Sequence, residues 1–84
     1  MKNLALGNAK KIVKQNMVIA TLDAANFNYF NDRVYDKYEK MVEKAVEQKL
    51  GNMKEEEITT FALAIIDGGE MQFDKELEKF YINI

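Results

Sequence analysis

Between Asn28 and Leu50, apolar residues recur every three or four positions and charged residues fill the gaps. At about 100° per residue the segment sorts into three stripes. Phe30, Val34, Tyr38, Met41 and Ala45 form an apolar ridge, which Tyr35, Val42 and Val46 widen to an arc of roughly 160°. Asp32, Asp36, Glu39, Glu43 and Glu47 line up as an acidic ridge, with Arg33, Lys37, Lys40 and Lys44 as a basic one beside it. The pattern predicts one helix, roughly 35 Å long at 1.5 Å per residue. One neighbouring helix covers less than such an arc. The segment is therefore expected to be the element on which at least two others pack.

Residues 4–25 also carry a helical period. Ala5, Leu6, Ala9, Ile12, Val13, Met17, Ile19, Ala20 and Ala24 share one face, opposite Lys10, Lys11, Lys14 and Gln15. Gly7 interrupts the pattern, and the run at 17–22 also fits a short strand. Asn16 falls in the apolar face, where local bonding at the edge of burial is the expected outcome. Asn26 or Asn28 is a candidate cap for the long helix. At its far end, Leu50-Gly51-Asn52 places glycine where a left-handed residue is wanted. Asn52 and Glu55 then resemble a capping box for a third helix, with Glu55, Glu56 and Glu57 at its positive end. Ile58, Phe61, Ala62, Ile65 and Ile66 give that helix an apolar face, and Gly68-Gly69 ends it. Beyond, Phe73, Leu77, Phe80 and Ile84 follow a helical spacing that Asp74 could cap, while 80–84 also alternates like an edge strand.

The expected fold is all-α: a single domain over residues 1–84, with three longer helices and a short C-terminal one. The alternative is α+β, with short strands near 17–22, 58–66 or 80–84. The expected core is Val34, Tyr38, Met41, Ala45, Ile58, Phe61, Ile65, Leu77 and Phe80.

Composition narrows the chemistry. At 84 residues, 48% of them apolar, the chain supports one core and no second lobe. It contains no His, Cys, Ser, Pro or Trp, and Arg33 is its one arginine. Zinc of the usual kind and the common nucleophiles are thereby closed off, and Thr21, Thr59 and Thr60 have no imidazole to activate them. No phosphate-cradling glycine motif occurs. Asp67-Gly68-Gly69-Glu70 flanks flexible backbone with carboxylates but lacks the ligand ladder of a calcium loop, so a helix end and turn is the better account. The expectation is no enzyme, no cofactor and no metal. No run is long and apolar enough to suggest a span or a secretory signal, and the lack of cysteine suits a reducing cytoplasm.

The net charge of −2 is unevenly spread. Residues 1–22 hold four lysines and no acid, whereas residues 53–84 hold eight acids against three bases. The plain expectation is that these two ends lie together and compensate. Lys10, Lys11 and Lys14 are candidate phosphate contacts, but only four lysines in this N-terminal stretch and a single arginine in an acidic chain make nucleic acid the weaker option.

What remains is a small acidic helical regulator or inhibitor that acts by binding another protein. Its bias towards Lys, Asn, Ile and Glu resembles AT-rich bacterial or phage genomes, which suggests an accessory protein of a phage or mobile element. Tyr29, Glu55, Glu56, Glu57, Asp67 and Glu70 are the candidate partner-binding residues. The alternative is a structural subunit that self-associates. A homodimer on residues 28–50 would favour parallel helices, which set acidic ridge beside basic ridge. Monomer or weak homodimer is expected.

Overall fold

The first helix, α1 (Leu6–Ala24), has other elements against it on three sides: α2 (Asp32–Asn52), α3 (Glu55–Ile66) and strand β1 (Glu70–Asp74). Strand β2 (Lys79–Asn83) completes an antiparallel hairpin with β1. The computed structural model describes residues 4–25 and 32–83, with side chains described from Asp36 onward in the second stretch. Asn26, Asn28, Tyr29, Phe30 and Ile84, and the side chains of Arg33, Val34 and Tyr35, lie outside the described residues.

Ala9, Val13, Met17, Ala20 and Leu22 of α1 supply five of the eleven core residues. Val42, Val46 and Leu50 come from α2, Ile58 and Ala62 from α3, and Met71 from β1. The small side chains at Ala9, Ala20 and Ala62 let the helices approach closely, while Met17 fills the space between them. Among the described residues no buried side-chain polar atom lacks a hydrogen-bond partner. Asn16 behaves as its position suggested: it is half-buried, and its amide donates to the Ile12 carbonyl at 2.8 Å.

The element at the centre is therefore α1 and not the long helix. On α2 the buried line is Val42, Val46 and Leu50, flanked by half-buried Tyr38. Met41 is 62% exposed and Ala45 is exposed, against the expectation that both are core. The same rotation sets acidic residues beside basic ones. With Val42, Val46 and Leu50 packed inward, Glu43 and Glu47 lie on the side of the α1 lysines, and Met41 and Ala45 turn away from that seam. The Lys14 ammonium donates to Glu47 Oε1 at 2.6 Å across this seam.

Two helix ends differ from expectation. Gly51 is helical, since Gly68 is the described glycine with positive φ, and α2 runs on to Asn52. The Asn52 side chain bonds back to the Gln48 carbonyl at 3.2 Å, so the N-cap of α3 is Lys54, without a side-chain cap bond. The other end of α3 closes as expected. Gly68 adopts φ 99°, its N–H reaches the Ile65 carbonyl, and the Gly69 N–H reaches the Ala64 carbonyl at 2.8 Å. These two bonds form a Schellman motif that satisfies carbonyls the helix leaves free.

The C-terminal helix is replaced by the hairpin, so the strand alternative holds at its last position, while 17–22 and 58–66 are helical. Register runs from Glu70↔Asn83 to Asp74↔Lys79 and pairs Phe73 with Phe80. Their seven-residue separation is what two helical turns share with two strands closing over a four-residue turn. Asp74 does accept from free amides, as a cap would. The donors are Glu76 N at 3.0 Å and Leu77 N at 3.2 Å, which shapes the turn. Leu77 stands at the tip, 65% exposed and outside the core it was assigned to.

Candidate functional site

The five described candidate partner-binding residues stand at the two ends of α3. Glu55, Glu56 and Glu57 occupy the exposed first turn of α3, where the backbone amides favour negative charge. Asp67 caps the opposite end and Glu70 opens β1, both exposed. Eleven residues separate Glu56 from Asp67, about 16 Å along the helix axis. Tyr29 lies outside the described residues. Between the two acidic ends, Leu63 (36% exposed) and Ile66 (45%) face outward on one side of α3, with half-buried Thr59 one turn before Leu63. The sequence pattern places Ile66 on the apolar face of this helix, though not in the expected core, and leaves Leu63 out of that face. The available signal was that ITTFALAII is apolar on more than one side, so no single packed face absorbs it all.

The lysine side of α1 is not matched with the acidic C-terminal third. Its counterpart is the acidic ridge of α2. Lys11 and Lys14 share one hollow with Glu39 and Glu43, and Lys10, Lys11 and Lys14 share another with Glu47 and Leu50. Lys14 is held protonated above its ordinary range chiefly by the hydrogen bond to Glu47, and Glu47 is held ionised below its ordinary range by the same bond. The three candidate phosphate contacts thus share a surface with carboxylates, one of which engages Lys14. Among the described residues that ion pair is the only one, and none of Glu55, Glu56, Glu57, Asp67 or Glu70 has a cationic partner.

A third feature lies between α2 and the hairpin. Phe73 and Phe80, with ring centroids 4.7 Å apart, wall an apolar groove completed by Val42, Ala45 and Val46. The Lys49 ammonium bounds one side, 5.4 Å from the Phe80 centroid and bonded to the Glu78 carbonyl at 3.1 Å. At about 190 Å³ the groove is smaller than the roughly 300–1,000 Å³ typical of ligand pockets.

Among the described residues no three His, Cys, Asp or Glu side chains gather closely enough to hold a metal ion. Asp67-Gly68-Gly69-Glu70 forms the helix end and the entry to β1. Nor is any described helix long and apolar enough to cross a membrane. No known protein family, curated protein or solved structure matches this chain.

Proposed function

We propose that this chain is a small acidic protein-binding module, a regulator or inhibitor that acts by occupying a basic surface on another protein. The observation that supports the reading is where the charge is left over. The lysines of α1 are set against the acidic ridge of α2. From Glu55 to Asp74 the chain then presents six carboxylates and no base. An acidic sector without internal counter-ions speeds encounter with a basic partner and repels acidic ones. Capture from lysate on immobilised protein tests this. Wild type is expected to retain a partner with a basic surface. A variant with Glu55, Glu56, Glu57, Asp67 and Glu70 changed to glutamine is expected to lose it. Equal capture by both would refute the reading.

One observation favours a second reading, self-association. Met41 and Ala45 continue the apolar surface of the Phe73–Phe80 groove outward along α2. A second copy laid on that strip would cover both. Glu47 is already engaged by Lys14 within the chain, which weakens the charge preference for parallel helices. Sedimentation over a concentration series distinguishes the readings: a dimer abolished by Met41→Lys supports self-association, and a monomer throughout removes it.

A further inference from the structure

Resting on the protein-binding reading, we infer that the outer face of α3 is the docking surface, and that its occupant is an amphipathic helix of a partner protein with Lys or Arg at both ends. Thr59, Leu63 and Ile66 form a short stripe at i, i+4 and i+7, the spacing by which one helix lies along another. Ile58 and Ala62, on the inward side of the same helix, are fully buried, so the domain's own core is served without the stripe. Leu63 and Ile66 nevertheless lie side by side, one turn apart, in a helix that is only 12 residues long.

Charge decides what covers them. Carboxylates stand at both ends of the stripe, Glu55, Glu56 and Glu57 before it and Asp67 and Glu70 after it. A second copy is disfavoured in either direction. Packed antiparallel, α3 would set Glu55–Glu57 beside Asp67 and Glu70, and packed parallel it would set each cluster beside itself. Nucleic acid meets the same sign. A helix with two aliphatic anchors and a cation at each end satisfies the stripe and both clusters together. The roughly 16 Å between the clusters corresponds to about eleven residues of such a helix.

The test is selection of displayed 14-residue peptides on the immobilised full chain, followed by affinity measurement on the winners. The expected winners carry two aliphatic residues three or four positions apart with Lys or Arg on both sides. Their affinity should fall about tenfold or more with Leu63→Ala/Ile66→Ala, fall with added salt, and be untouched by Met41→Ser. Alanine at these exposed helical positions keeps the helix, which circular dichroism of the variant verifies. Basic peptides that survive Leu63→Ala/Ile66→Ala but are lost when the five carboxylates become glutamine would overturn the docking site and leave the acidic-surface reading standing. Winners without basic flanks, or winners lost only with Met41→Ser, would overturn both.

Discussion

The Cγ2 methyl of Ile82 sits 2.5 Å from where a Cβ on Gly69 would be, and the Ala64 carbonyl oxygen sits 2.8 Å from the same point. The side chain of Ile82 can turn away, but the helix carbonyl cannot. Gly69→Ala is therefore expected to lower stability by about 1–3 kcal/mol through overpacking. Urea denaturation measures it, and an unchanged midpoint would show that the joint between α3 and β1 is loose.

Exposed and buried methionine should separate cleanly. Met17 is fully buried between α1 and its neighbours, so Met17→Ala is expected to cost about 2–5 kcal/mol. That is a large part of the stability of so small a domain. Met41→Ala is expected to stay within about 0.5 kcal/mol of wild type. Paired thermal melts decide the matter, and a large loss at Met41 would place it in the core after all.

Glu78 holds φ 52° as the last residue of the hairpin turn, a left-handed conformation that costs an L-residue roughly 1–2 kcal/mol. Glycine adopts it freely but gives the unfolded chain more freedom. Glu78→Gly is expected to raise stability by up to about 1 kcal/mol, with the Lys49 bond intact because it goes to the backbone carbonyl. Chemical denaturation of the pair of proteins gives the sign.

The Lys14–Glu47 bond makes the pH response two-sided. Glu47, lowered when folded, contributes stability that is present above pH 4.5 and lost as pH falls through its folded value. Lys14, raised when folded, contributes stability that is present below pH 10.5 and lost as pH rises through its folded value. Between those limits the bond adds no slope. Replacing Glu47 with glutamine should remove its share of the acid-side decline and leave mid-range pH dependence unaltered, as pH-stepped denaturation would show. The pair faces solvent, so the change is small.

Helix content, the acidic first turn of α3 and its glycine exit were legible because each rests on local chemistry: a period of 3.6, acids near free amides, a glycine free to take positive φ. The location of the centre was not. Contrast between apolar and polar faces is loudest in a helix that stays at the surface, which is why α2 drew attention. In α1, covered on three sides, burial does not follow the one face read from the pattern: Leu22, off that face, is buried, and Ile19, on it, is exposed. The rotation of α2 was hidden for a related reason, since the stripe that packs inward is set by contact with α1, which lies far back in the chain, as the 33-residue span of the Lys14–Glu47 bond shows. The hairpin was disguised by the spacing of Phe73 and Phe80, which two structures share. Of the candidate site, the acids were readable and the Leu63–Ile66 stripe between them was not, because exposure is a property of the packed molecule.

The central position of α1 also shapes how the chain comes into being. It leaves the ribosome before any of the elements that cover it, and fifty residues separate its end at Ala24 from the end of β1 at Asp74. At 5–20 residues per second that interval is roughly 3–10 s. Within it α2 and α3 become available to α1 before β1 does, and the hairpin, closed by a four-residue turn, pairs in microseconds once it emerges. Assembly of this domain thus waits on translation, and its earliest helix is the last to be enclosed.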